Sequence, residues 1–170
     1  MIFVSVGTHE QPFDRLLKEM DRLVEEGVIK EEVFIQTGYS TYEPKHCKWS
    51  KFLPFNEMKP KVEEAHIVIT HGGPSSFVKS LECGKVPIVV PRRQAFNEHV
   101  NDHQVKFCHA VAEKQGNIIV VDDVEKLADV INNYDDIVAK MPAGLKSNNE
   151  RFCSEFEKIA EKLVNGKKEA

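Results

Sequence analysis

The sequence predicts an α/β domain built on a doubly wound parallel sheet, and three observations carry that prediction. Short apolar segments alternate along the chain with longer segments whose apolar residues recur at helical spacing, the pattern of successive βαβ units. The short segments are near-continuous apolar runs, as strands buried on both faces require. Each run stops at a glycine, a proline or a polar cluster, where a connecting loop must begin. A length of 170 residues suits one domain, residues 1–170, able to bury roughly 70% of the surface of its extended chain.

In order along the chain, residues 2–6 (IFVSV) form the first strand, stopped by Gly7. Phe13, Leu16, Leu17, Met20, Leu23 and Val24 then share one helical face, and Gly27 ends that helix. Residues 33–36 make a second strand closed by Gly38, and residues 49–53 a third that ends at Pro54. Residues 56–65 read as a helix capped by Asn56. The apolar strand 67–70 runs into His71-Gly72-Gly73-Pro74-Ser75-Ser76, with Pro74 suited to the first turn of a helix and Gly84 to its end. Strand 87–90 is halted by Pro91, and a polar loop leads to a helix over 97–112. Strand 118–121 follows, then a helix over 124–134 capped by Asp122 or Asp123. A last amphipathic helix, about 144–164 within a C-terminal segment 144–170, carries Phe152, Phe156, Ile159, Ala160 and Leu163 on one face.

Composition narrows the function. A net charge of −4 argues against broad nucleic-acid binding. The four cysteines show no CxxC spacing and read as free, buried thiols of a reducing compartment. The amino terminus has no secretory n- and h-regions and no apolar run approaches the ~20 residues that span a bilayer, so the expectation is a cytoplasmic protein. Lys45, Lys48, Lys51, Lys59 and Lys61 face a lone Glu57 over residues 45–61, either an ordinary solvated face or a surface that approaches anionic lipid.

In a doubly wound sheet, ligands bind beyond the C-terminal ends of the strands. That rule selects the loops after strands one, four and five. At His71-Gly72-Gly73-Pro74-Ser75-Ser76, unpaired amides of a helix N-terminus, two glycines permitting close approach and two hydroxyls suit a phosphate. A tight turn with a serine cap explains Gly and Ser equally well, but not a histidine at a strand's end. Neither G-x-G-x-x-G nor G-x-x-x-x-G-K-[ST] is present. Gly7-Thr8-His9-Glu10 places a hydroxyl, an imidazole and a carboxylate after strand one; His9 or Glu10 could serve as general base, or the loop could merely cap a helix. Arg92-Arg93 and the polar run 97–104 suit a polyhydroxylated ligand. His99 and His103 stand four apart, but H-E-x-x-H and a third ligand are missing, so no metal site is expected. Phe52-Leu53 either packs on a base ring or belongs to the core.

With these loops in place, the chain resembles the nucleotide-sugar-binding C-terminal half of a GT-B glycosyltransferase, of the family-28 C-terminal domain type. The resemblance covers roughly residues 1–135. Its specific part is residues 67–104, which include ITHGGPSSFVKSLECGKVPIVVPRRQAFNEHVNDHQ. The opening VGTHEQPFDRL is similar to that of small stand-alone members, among them the catalytic subunit of the split transferase that adds the second GlcNAc to a dolichol-linked oligosaccharide. Closer in length are bacterial capsular and exopolysaccharide transferases, several of them galactosyltransferases.

The resemblance implies a Rossmann-like fold in which His71, Gly72, Gly73, Ser75 and Ser76 hold the donor diphosphate, with Gly7, Thr8, Pro74 and Arg93 among the donor-binding residues. Asp102, His103 and Gln104 would contact the donor sugar, and Phe52 and Leu53 the uracil. The family commonly places an acid five residues before the helix-ending glycine to grip the ribose; here that position is Lys79, and the nearest carboxylate is Glu82. The implied activity is inverting transfer of a hexose, expected to be galactose, from a UDP-sugar substrate to a lipid-diphosphate-linked saccharide, without cofactor or metal. Because a GT-B enzyme reacts in the cleft between two halves, the resemblance also implies a membrane-anchored partner subunit of N-terminal-half type that would bring this chain to the inner face of the membrane. The alternative is a non-catalytic subunit that stabilises such a partner.

Overall fold

Six parallel strands lie in the order β3-β2-β1-β4-β5-β6 in a computed structural model that describes residues 1–141. The strands are β1 (Ile2–Ser5), β2 (Val33–Gln36), β3 (Lys48–Ser50), β4 (Ile67–His71), β5 (Ile88–Val90) and β6 (Ile119–Val120). Every neighbouring pair is parallel, and Ile2 to Ser5 register against Val33 to Gln36 on one side and Ile67 to Thr70 on the other. The order reverses at β1: β2 and β3 run outward one way, β4 to β6 the other. This is the doubly wound, Rossmann-like sheet expected, and its topological switch lies between β1 and β4.

Strand pleating divides the core. Ile2, Val4 and Val6 point to the face covered by α1 (Asp14–Glu25), α5 (Leu127–Asn132) and α6 (Tyr134–Lys140), where Leu16, Leu17, Met20, Leu127 and Val138 pack with them. Phe3 and Val68 point to the opposite face, against Val62 and Ala65 at α2 (Phe55–Glu64). Val89 meets Phe77 of α3 (Pro74–Glu82) and Cys108 of α4 (His103–Gln115). Leu16, Leu17, Met20 and Leu23 of the α1 stripe are enclosed, each contributing roughly 1.5–3 kcal/mol by removal from water, and Val24 is partly buried.

Several expected boundaries change. The third strand occupies Lys48–Ser50 rather than 49–53, because Ser50 Oγ donates to the Phe52 carbonyl and the Gln36 side chain takes the Lys51 carbonyl, curling the chain away. Asn56 is not the cap of α2: Pro54 precedes the helix and Phe55 begins it. The helix expected over 97–112 starts at His103. Asn97 is left-handed (φ 56°) and the Glu98 carboxylate is drawn into the interior, which is incompatible with a helical turn there. The helix expected over 124–134 is a 3-10 turn, Val124–Lys126, followed by α5, with α6 beginning after a break at Asn133. The C-terminal helix expected at 144–164, in segment 144–170, lies outside the described residues. Among the described residues no helix is long and apolar enough to cross a membrane.

Candidate functional site

A cavity of about 650 Å³ opens at the β1/β4 switch. Its floor is the sheet face bearing Phe3, Ser5, Val68 and Thr70, its walls the loops after β1 and β4 and the pocket-facing side of α3. One half is apolar, with Phe52, Leu53, Phe55, Met58 and Val62; the other is polar, with Thr8, His9, Gln36, His71, Ser75, Ser76 and Gln104. Lys79 and Ser80 stand on α3 in the same wall.

His71 organises the polar half. Its ring is held between two glycines: a Cβ on Gly7 would lie 2.4 Å from Nε2, and one on Gly73 2.3 Å from Cε1. Gly7 also adopts φ +76°, a conformation that favours glycine. The Gly73 N–H donates to Nδ1 at 3.0 Å, so Nδ1 carries no proton and the neutral ring bears it on Nε2. Burial, and then the nearby Arg92 and His9 charges, push the His71 pKa down to about 4, keeping the ring neutral. Nε2–H therefore donates to Ser76 Oγ at 2.8 Å, which leaves the Ser76 hydroxyl proton free for the cavity.

The glycine amides are not free, contrary to expectation. Gly73 N–H is taken by His71 and Gly72 N–H by Gln104 Oε1 at 3.0 Å. Ser76 N–H returns to the Gly73 carbonyl at 3.0 Å. Pro74 has no N–H, so Ser75 supplies the one amide of this corner without a partner among the described residues. The glycines admit an imidazole and the Gln104 side chain. The anion-attracting elements left are the Ser75 amide, two serine hydroxyls and the dipole of α3.

Of the residues selected from the sequence, Gly7, Thr8, His9, Phe52, Leu53, His71, Ser75, Ser76 and Gln104 line the cavity. Gly72, Gly73 and Pro74 form the turn behind it. Glu10 is exposed and outside the lining, whereas His9 Nε2–H donates to Gln11 Oε1 (2.9 Å) and the ring stacks on His99, centroids 4.8 Å apart. Burial, followed by the His9 charge, lowers the His99 pKa. Arg93 is not in the cavity: it lies over Phe96 and 3.6 Å from Asp123. Asp102 accepts from the Gln94 amide and His103 is exposed at the start of α4, both turned to solvent because the helix begins there and not at residue 97. Gln104, one residue on, is the member of that run that reaches the cavity.

Sequence reasoning missed Ser5, Gln36, Phe55, Lys79 and Ser80 as wall residues. Gln36 carries a readable signal, a lone amide closing the apolar strand VFIQ; it accepts from Ser5 Oγ and Gly7 N–H and donates to the Gly7 carbonyl. Ser80 Oγ is fully buried with no partner among the described residues. Burial pushes the Cys47 and Cys108 thiols up to about 12, which leaves them protonated and packed as small apolar groups. Among the described residues no group of three His, Cys, Asp or Glu side chains is arranged to hold a metal.

The model of the Glycosyltransferase family 28 C-terminal domain matches residues 1–163. Among solved structures, the kitacinnamycin glycosyltransferase superposes with a TM-score of 0.56 at 17% identity, over 85% of this chain and 36% of that one. SnogD from Streptomyces nogalater gives 0.45 at 13% identity, covering 90% of this chain and 42% of that one. The calicheamicin glycosyltransferase CalG4 gives 0.47 at 16%, covering 95% and 43%. The first similarity establishes the shared fold, and this chain spans about a third of that enzyme's length. No curated protein sequence matches the chain.

Proposed function

The chain belongs to the glycosyltransferase family 28 C-terminal domains, and from that premise we propose that it holds the nucleotide-sugar donor of a hexosyltransferase, with galactose from UDP-galactose the expected transfer. The observation that carries this is the two-sided cavity at the β1/β4 switch: an aromatic half fit for a base ring beside a polar half at a helix N-terminus fit for a diphosphate. The uracil lies against Phe52, Leu53 and Phe55, and the diphosphate against Ser75 and Ser76.

The reaction is a displacement at the anomeric carbon with inversion. The acceptor oxygen forms its bond to that carbon as the bond to the β-phosphate oxygen breaks, and UDP departs with the electron pair. The α3 dipole, the Ser75 amide and the serine hydroxyls stabilise the charge growing on UDP. The acceptor proton goes to a base; His9, at the cavity wall, is the better placed of the two candidates in this chain, while Glu10 lies outside it. The acceptor is a lipid-diphosphate-linked saccharide of capsule or exopolysaccharide assembly, presented at the inner membrane face by a membrane-anchored partner of N-terminal-half type.

A non-catalytic subunit that stabilises its partner is the second reading, favoured by the engagement of both glycine amides within the protein. One assay separates the two: transfer from a panel of UDP-sugars to membrane lipid by the chain with a co-expressed N-terminal-half partner. The expected result is transfer that needs both chains and falls at least tenfold in Ser76→Ala. Transfer by the partner alone, or undiminished transfer in that variant, refutes the catalytic reading.

A further inference from the structure

We infer that Lys79 is the residue that reads the ligand's phosphate charge, a specificity determinant resting on the nucleotide-diphosphate reading above. Among the described residues that line the cavity, Lys79 is the single permanent cation and no carboxylate is present. His71 is neutral, its pKa pushed down to about 4. Arg92, behind the cavity, is fully buried and directs its Nη groups to the carbonyls of Gln11, Glu98 and Val6. Three of the corner's amides, those of Gly72, Gly73 and Ser76, are satisfied within the protein. A diphosphate entering this site therefore meets, within the lining, neutral donors and one permanent cation, with the Arg92 charge standing behind the wall.

The position of Lys79 on α3 lets it act. Ser75, Ser76, Lys79 and Ser80 are spaced at i, i+1, i+4 and i+5, so they share the face of α3 that forms the cavity wall. Helical side chains lean toward the N-terminus of their helix, which aims the Lys79 stem back over the serines roughly 6 Å away along the axis. Its Nζ sits 4.5 Å from the centre of the Phe55 ring, in the apolar half. Phe55 is 83% exposed, so this cation–π contact is of the weak, solvated kind and yields readily to a phosphate oxygen. The Ser80 hydroxyl, buried and with no partner among the described residues, lies in the same stretch of wall.

The test is calorimetric titration of the full chain with uridine, UMP and UDP at low and high salt, for the wild type, Lys79→Met, Lys79→Arg and Lys79→Glu. Lys59→Met, which removes a charge from an exposed site on α2, controls for the long-range field. The expected result is that Lys79→Met weakens UDP roughly 10- to 100-fold at low salt, a charge-assisted contact, and leaves uridine unchanged. Lys79→Arg retains most of the UDP affinity, and Lys79→Glu loses more than Lys79→Met. An equal loss for uridine and UDP, or no loss for UDP, overturns the inference while leaving the nucleotide site standing. Failure of the wild type to bind any of the three overturns the nucleotide reading and this inference together.

Discussion

At the scale of single residues, Gln104 has the widest reach for its size. Its carboxamide oxygen accepts from Gly72 N–H at 3.0 Å and from Arg92 N–H at 3.1 Å, so one atom closes the loops after both β4 and β5. Gly72 makes this possible, since a Cβ there would stand 2.8 Å from Cys108 Sγ and 2.9 Å from Gln104 Cβ. Gln104 also lines the cavity. These two functions separate by substitution. Gln104→Ala leaves two enclosed amides unpaired and is expected to cost about 1–3 kcal/mol in urea unfolding. Gln104→Glu keeps an oxygen in the accepting position, so it should recover much of that stability. It also places a negative charge against the ligand's phosphates, so UDP binding should still fall. If Gln104→Glu unfolds as early as Gln104→Ala, the two N–H bonds are not what Gln104 contributes.

At the scale of elements, the segment joining β5 to α4 has one 3-10 turn, Gln94–Phe96, and beyond it is held by charge. Glu98 receives Arg15 through Nε and Nη2 at 2.9 and 3.0 Å and the Arg93 amide at 3.0 Å, while Arg92 reaches across to carbonyls at the end of β1 and in the loop beyond it. Glu98 is 2% exposed, so breaking the pair from one side leaves a charge without a partner. Glu98→Gln is expected to cost about 3 kcal/mol, and Arg15→Met combined with it should recover part of the loss. Strict additivity in that double-mutant cycle would deny the coupling. The same contact explains which parts of the fold were legible in the sequence. The α1 stripe and the β–α turn at His71 are local patterns, and both stand where the periodicity and the glycine pair put them. Glu98 reads locally as a solvated helical residue. Only its pairing with Arg15, 83 residues away, pulls it inward and delays α4 to His103, taking Asp102 and His103 away from the cavity. Gly72 and Gly73 were legible as a site of close approach, but not what approaches, because Gln104 and the His71 ring arrive by tertiary folding. Lys79 belongs to the cavity only once α2 and the loop before it stand opposite α3.

At the scale of the whole molecule, protonation is linked to stability through groups of opposite sign. His71 has a folded pKa near 4 against an ordinary value of 6.5, so between these pH values the unfolded chain binds a proton that the folded one refuses. Folding stability from this group is intact above about pH 6.5 and falls to its floor near pH 4, a swing of roughly 3 kcal/mol at 1.36 kcal/mol per pH unit. His99, lowered by burial and by the His9 charge, acts in the same direction. His66 acts in the other. Its bonds to Asp135 and then Glu31 raise its pKa, so its contribution is present below the unfolded value and is lost as pH rises through the folded one; it lies on the surface, where solvent weakens it. The Asp21 carboxylate, held low despite burial by the Lys45 amide, the Tyr42 hydroxyl and the His46 amide, is lost only as pH falls through its still lower folded value. Urea unfolding between pH 7 and pH 4 is therefore expected to show stability declining with acid, and His71→Asn should flatten that decline. The asparagine oxygen can accept the Gly73 N–H without ever titrating, so the variant isolates the proton from the hydrogen bond. Parallel stability curves for the two proteins would mean that His71 is not held neutral by its enclosure. The direction of the Nε2–H to Ser76 bond, and the free hydroxyl proton it leaves for a phosphate, would then have to be reassigned.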